Sequence, residues 1–190
     1  IIELYQAAGK KLLLAAPTGR AAKRMAEVTG REAKTIHRLL EVEYRGGQPR
    51  FLRDDANPLK ADVVLIDEMS MVDALLMEAL LRAISPGTRL IMTGDIDQLP
   101  AVGAGNVLKD IIHSGVVQTV RLTEIFRQAA DSLIILNSHA VNRGEYPDID
   151  TTGKDFYFIR RSSEESIART VLELVKERIP KSFQIPSGEI

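Results

Sequence analysis

Cysteine and tryptophan are absent from this sequence, and aromatic residues make up only 5% of it. The lack of cysteine excludes disulfides and thiolate metal sites, and it fits a reducing, cytoplasmic setting. No apolar run approaches the length of a membrane span, and the start carries no signal-peptide pattern, so no membrane partner is expected. The formal net charge is −1, so no global basic field announces nucleic acid, and any such role must rest on local patches. Internal repeats and low-complexity tracts are missing as well. One further absence concerns chemistry. No Gly-rich phosphate loop of the form GxxxxGK followed by Ser or Thr occurs anywhere.

What is present suits a folded domain. The 190 residues fit one ordinary domain with the start of a second, 45% of them are hydrophobic, and 27% are charged. The chain opens Ile1-Ile2-Glu3-Leu4 without an initiator Met, as if within a helix, and stops at Ile190 without a cap or polar tail. The expectation is a segment of a longer protein.

A strand–helix alternation runs along most of the chain. Residues 11–16, 61–66, 89–93, 116–122 and 156–159 read as strands. Residues 20–28, 35–42, 73–84, 105–114, 132–142 and 164–178 read as helices. Repeated β–α units predict an α/β fold, a parallel sheet flanked by helices on both faces. Residues 44–53, with Gly46-Gly47 between strand-like flanks, predict an inserted β-hairpin. Residues 145–154 are rich in Pro, Gly, Asp and Thr and read as a linker.

The chemistry centres on Val63-Val64-Leu65-Ile66-Asp67-Glu68, an apolar run that ends in adjacent carboxylates. The run suits a strand buried on both faces, and ligands of open α/β sheets bind at the carboxyl ends of strands. Two acids delivered there can hold a metal ion and orient a water, as nucleotide hydrolysis requires. The plainer alternative is a strand followed by a helix cap. A second apolar run, Leu90-Ile91-Met92, leads into Thr93-Gly94-Asp95 and then Gln98. Gln98 can hydrogen-bond a phosphate oxygen and a neighbouring element together, although it also reads as a surface amide.

Pro17-Thr18-Gly19-Arg20-Ala21-Ala22-Lys23-Arg24 follows a strand and opens a helix. Free backbone N–H groups, a hydroxyl and positive charge suit a phosphate backbone, while a solvated basic face explains the same residues equally well. Thr35, His37 and Arg38 put a hydroxyl, an imidazole and a guanidinium within one turn, and none of the histidines has metal-ligand spacing. Arg127 follows the residue 116–122 run and suits bidentate phosphate contact, or pairing with a neighbouring carboxylate at the surface. On the hairpin, Phe51 offers a stacking face beside Arg45, Arg50 and Arg53.

In order, APTGRAAKRM, TIHRLL, VVLIDEMSMVD, LIMTGDIDQLPAVGAG and LTEIFRQ resemble the motifs of RecD-type superfamily 1 helicases, the family that includes the exodeoxyribonuclease V alpha subunit. The resemblance implies a RecA-like P-loop NTPase motor. Residues 1–144 would be part of the first motor domain, with the 44–53 hairpin as its strand-separating pin, residues 145–154 a linker, and residues 155–190 the start of the second motor domain. It implies ATP and Mg2+ as cofactors. Asp67 would help hold Mg2+, Glu68 would polarise the attacking water, Gln98 would link the γ-phosphate to the DNA-binding face, and Arg127 would contact the γ-phosphate. Pro17, Thr18, Arg20, Thr35, His37 and Phe51 would face DNA. The implied function is 5′→3′ translocation on single-stranded DNA and unwinding at duplex junctions in recombination and repair, with nuclease–helicase complex subunits as candidate partners. The family's phosphate loop lies just upstream of its equivalent of residue 1, so the chain alone is expected to be inactive. The competing readings are a non-hydrolysing DNA- or protein-binding module derived from a motor domain, and an ATPase acting on something other than nucleic acid.

Overall fold

Four consecutive apolar residues with no alternation need cover on both sides, and the structure gives strand β5 (Val63–Ile66) that cover: all four residues are buried. The structure is a computed structural model that describes every residue except 47, 123–131, 152–154 and 190, and only the backbone of residues 45, 48 and 189. The described residues form two compact units, Ile1–Arg121 and Leu122–Ile190.

In the first unit, β5 pairs in parallel with β1 (Leu12–Ala16) and β6 (Arg89–Met92), and β1 pairs in parallel with β2 (Ala33–Thr35). The sheet order is β2-β1-β5-β6. Alternate residues point to opposite faces. Ala15, Val64 and Ile66 pack with Ile36 and Leu39 of helix α3 (Ile36–Leu39), Leu80 of α4 (Ala74–Ala83) and Leu108 of α5 (Val107–Ser114). Leu14 and Leu65 face the other way, toward Met25 of α2 (Gly19–Thr29) and Ile2 of α1 (Ile2–Ala7). Helices therefore cover both faces, as the alternation of strands and helices predicts. Gly30 ends α2 in the left-handed region, at φ 65°, where a side chain would be strained.

The predicted hairpin forms from β3 (Val42–Arg45) and β4 (Gln48–Phe51). Its base is tied down: Leu52 N–H donates to the Leu40 carbonyl, and Arg53 pairs with Glu41 at 2.6 Å. Three expectations need correction. The helix expected over residues 35–42 is only α3, Ile36–Leu39, because Thr35 ends strand β2, which joins the sheet although charged Lys34 and its brevity hide it, and Val42 begins the hairpin. Residues 116–122 form no strand, and Val116, Val120 and Leu122 are 86%, 82% and 97% exposed. Residues 156–159 form none either, and the Arg160 guanidinium lies 5.9 Å from the ring centre of Phe158. An apolar run becomes a strand only where a sheet edge accepts its backbone, and neither run has such an edge among the described residues.

The second unit holds α6 (Leu133–Asn142) and a long helical stretch, α7 (Glu164–Glu173), a π-helical turn (Leu174–Arg178) and α8 (Ile179–Phe183). The π turn ends two residues before Pro180, which lacks an N–H and would clash with the carbonyl four residues back, within that turn. Helix α6 is fixed by polar contacts. Buried Asn137 mimics a backbone strand toward Asp148, donating to its carbonyl at 2.9 Å and accepting from its N–H at 2.7 Å. Ser132 caps the helix, its hydroxyl also donates to Asp155, and Asp155 accepts from Leu133 N–H at 3.2 Å.

These contacts set a pH response. The Ser132 hydroxyl, with Leu133 N–H, holds the Asp155 carboxyl below its ordinary value, and Thr151, with the Asp150 N–H, does the same for Asp148. A depressed carboxyl contributes stability that is complete above its unfolded value and is lost as pH falls through the folded one. Amide hydrogen exchange over residues 133–137 should therefore be pH-independent in protection above about pH 5 and lose protection below about pH 4. Asp155→Ala should weaken protection at neutral pH and flatten that acid response; an unchanged acid response would refute the assignment.

Candidate active site

Because β1, β2, β5 and β6 run the same way, their carboxyl ends meet at one edge of the sheet. The register aligns Ala16 with Thr35, Ala15 with Ile66, and Ile66 with Met92. The residues that follow each strand, from Pro17, Asp67 and Thr93 onward, leave the sheet together, and Thr35 ends β2 there. The helices after β1 and β5 go to opposite faces, so the sheet's topological switch lies between these strands, where open α/β sheets place ligands.

Asp67 and Glu68 stand between two fully buried residues, Ile66 and Met69, each 0% exposed. Asp67 N–H donates to the Ala15 carbonyl at 3.0 Å, so it still belongs to the ladder. Glu68 then turns the chain out of the sheet at φ 55° and leads a 3-10 turn, Met69–Met71. A glutamate at positive φ is strained, and here the burial of Met69 enforces it. Both carboxylates are half-buried, and neither forms an ion pair among the described residues. Thr93 closes the other side. Its N–H donates to the Ile66 carbonyl at 2.9 Å, its carbonyl accepts from Met69 N–H at 2.9 Å, and its hydroxyl donates to Asp67 Oδ1 at 2.5 Å.

Gln98 lies on the loop that follows Thr93. Its side chain is exposed, and its N–H donates to the Asp95 carbonyl at 3.3 Å. The loop is docked on the acid-pair turn through backbone. Ala101 N–H donates to the Ser70 carbonyl at 3.0 Å, and Ala74 N–H donates to the Ala104 carbonyl at 2.9 Å. Glycines permit this close approach: a Cβ on Gly94 would lie 3.0 Å from Met69 N, and one on Gly103 would lie 2.0 Å from Asp73 Oδ2. Asp73 is needed where it is, because it caps α4 by accepting from Leu76 N–H at 2.8 Å. Ser70, 7% exposed, has a hydroxyl without a protein partner among the described residues.

On the basic side, Thr18 and Thr35 are helix caps. Their hydroxyl oxygens accept from Ala21 N–H and Arg38 N–H, each at 3.2 Å. A capping hydroxyl keeps its own proton to donate, so capping does not consume its capacity for a phosphate oxygen. Inward-facing Ala22 and Met25 leave exposed Arg20, Lys23 and Arg24 on the outer face of α2, and Pro17 is half-buried at its start. His37 and Phe51 come together, with ring centres 5.9 Å apart. Phe51 pairs with Val42 at the hairpin base and packs against the core, so the exposed aromatic of the hairpin is Tyr44, 69% exposed. Arg127 lies outside the described residues.

The donor set fits Mg2+ in one particular way. Among the described residues, no three or more acidic, His or Cys side chains gather around a common point. A caged ion is therefore not what these residues hold. One or two carboxylates suffice for Mg2+, which keeps waters and takes its other ligands from phosphates. Sequence reasoning picked out Asp67, Glu68 and Gln98 but passed over Thr93, Ser70 and Tyr44. The sequence shows for Thr93 only a hydroxyl directly after an apolar run; the strand pairing is what sets it beside the acidic strand end.

The family model described as "AAA domain" matches residues 1–161. The ATP-dependent RecD2 DNA helicase of Deinococcus radiodurans is 41% identical over 147 residues, which are 77% of this chain and 20% of that protein. The RecBCD enzyme subunit RecD of Mycobacterium tuberculosis is 43% identical over 120 residues, 54% of this chain and 20% of that subunit. The crystal structure of Bacteroides sp Pif1 in complex with ADP-AlF4 matches with a TM-score of 0.50 at 21% identity, covering 89% of this chain and 48% of that one, a likeness of fold. The chain thus spans about 20% of the length of these two curated relatives. With the α/β sheet, the acid pair at its carboxyl edge and the family model over residues 1–161, the chain belongs to the AAA domain family, among relatives that are RecD-type helicases.

Proposed function

We propose that this chain is the segment of an ATP-dependent DNA helicase that carries the water-activating carboxylate and part of the DNA path. One observation carries the reading: Asp67 and Glu68 are held, half-buried and without ion pairs among the described residues, at the sheet edge from which the basic turn of α2 also departs. A carboxylate with no cationic partner keeps its charge for a metal or a water. Residues 1–144 belong to the first RecA-like motor domain, 145–154 to a linker, and 155–190 to the second motor domain.

Bound Mg2+ would neutralise charge on the ATP phosphates and polarise them toward attack. Asp67 would hold that ion. Glu68, aimed out of the sheet by its left-handed backbone, orients the water and draws off its proton. Gln98 sits on a loop bonded to the acid-pair turn, so a change at the γ-phosphate moves a loop rather than a lone side chain. Arg127 adds a cation for the γ-phosphate. Thr18 and Thr35 donate hydroxyl protons to DNA phosphates, Arg20 adds charge, and Pro17, His37 and Phe51 line the strand's path. The parent enzyme moves 5′→3′ in the cytoplasm, in recombination and repair, alone or with subunits of a nuclease–helicase complex.

The test uses the gene product at its full encoded length. It should hydrolyse ATP with stimulation by single-stranded DNA, Glu68→Gln should lower kcat by about 10²-fold or more, and residues 1–190 alone should show no turnover. Hydrolysis that Glu68→Gln leaves intact would refute the assignment. The strained backbone adds a second expectation. Glu68→Gly should also abolish turnover yet raise stability, because release of about 1–2 kcal/mol of left-handed strain outweighs about 0.5–1 kcal/mol of added chain entropy. Denaturant unfolding of residues 1–190 measures it, and a large destabilisation would contradict the strain.

A further inference from the structure

We propose that Thr93 is a positioning residue that presents Asp67 to a divalent cation through a single carboxylate oxygen. The inference rests on the hydrolytic reading above and adds a residue and a metal preference to it. The Thr93 hydroxyl donates to Asp67 Oδ1 at 2.5 Å, across 26 residues of sequence. The other oxygen, Oδ2, has no protein partner among the described residues. Asp67 therefore keeps one oxygen uncommitted.

The donor is neutral, and that matters. A lysine or arginine in the same place would hold the carboxylate equally well but cancel the charge a cation needs. A hydroxyl orients without neutralising. Thr93 is also well placed to orient, because its backbone is bonded on both sides of the acid pair, to Ile66 and to Met69. The next residue, Gly94, is packed so closely that a Cβ there would lie 3.0 Å from both Met69 N and Leu108 Cδ2, which leaves Thr93 little room to shift. The hydroxyl thus has a fixed origin, and the Asp67 carboxylate rotates about a fixed point.

A chemical preference follows. Ca2+ favours flexible, often bidentate carboxylates, whereas Mg2+ demands tighter octahedral geometry with few protein oxygens. A carboxylate with one oxygen committed to Thr93 suits Mg2+ or Mn2+ and disfavours a bidentate ion. Partners that hydrogen-bond a ligating group typically matter about 10–100-fold in metal affinity.

The test measures Mn2+ in the ternary complex of the full encoded protein with a non-hydrolysable ATP analogue, by water-proton relaxation. Wild type, Thr93→Val and Thr93→Ser are compared after circular dichroism confirms that each is folded. Valine matches threonine in shape and lacks only the hydroxyl, whereas serine keeps it. Mn2+ affinity should fall about tenfold or more in Thr93→Val and be restored in Thr93→Ser, and Ca2+ should compete better against Mn2+ in Thr93→Val than in wild type. Wild-type affinity in Thr93→Val, or an equal loss in Thr93→Ser, would overturn the proposal while leaving the hydrolytic reading intact. A wild-type protein that binds the analogue but no Mn2+ would overturn the hydrolytic reading and the proposal with it.

Discussion

Strand β5 has no solvent-facing side, and most of the site follows from that. Val63–Ile66 are buried on both faces, so the strand must lie inside a parallel sheet with helices above and below. The chain can leave such a strand only at its carboxyl end. There, Met69 is again fully buried, one residue after the acid pair. Two polar residues caught between two buried ones have little conformational freedom. The left-handed backbone of Glu68 is the consequence, and it is the kind of local strain that persists only where surrounding packing enforces it. The geometry of this edge is set by the hydrophobic core as much as by the carboxylates themselves.

A second feature is the division of labour between side chain and backbone. The loop that carries Gln98 is joined to the acid-pair turn by main-chain hydrogen bonds from Ala101 and Ala74, and glycines at 94 and 103 let the two segments approach. Such a joint transmits displacement without depending on the rotamer of one side chain. The two capping threonines illustrate the converse economy. Thr18 and Thr35 each end a strand region and cap a helix, so one hydroxyl organises the backbone and still has a proton to give.

Much of this was legible in the sequence, for identifiable reasons. The β5 run, the Asp67–Glu68 pair and the Gly46 hairpin are local signals that periodicity and turn chemistry carry. The runs at 116–122 and 156–159 misled, because pairing depends on an edge elsewhere that no local pattern encodes. The short strand Ala33–Thr35 escaped notice because β1 and α2, rather than its own composition, hold it in place. Thr93 escaped because its contact with Asp67 forms only when two strand ends 26 residues apart become neighbours. The place of Phe51 at the hairpin base, half-buried against His37 and the core, follows from tertiary packing that no local pattern encodes.

The central claim is that one sheet edge joins nucleotide chemistry to a DNA surface. The most direct measurement is the affinity of the full encoded protein for single-stranded DNA, by fluorescence anisotropy, with ADP and with a non-hydrolysable ATP analogue. The expected result is a difference of about fivefold or more between the two nucleotide states, removed by Gln98→Ala. Equal affinity in both states and without nucleotide would contradict the claim and identify the chain as part of a binding module.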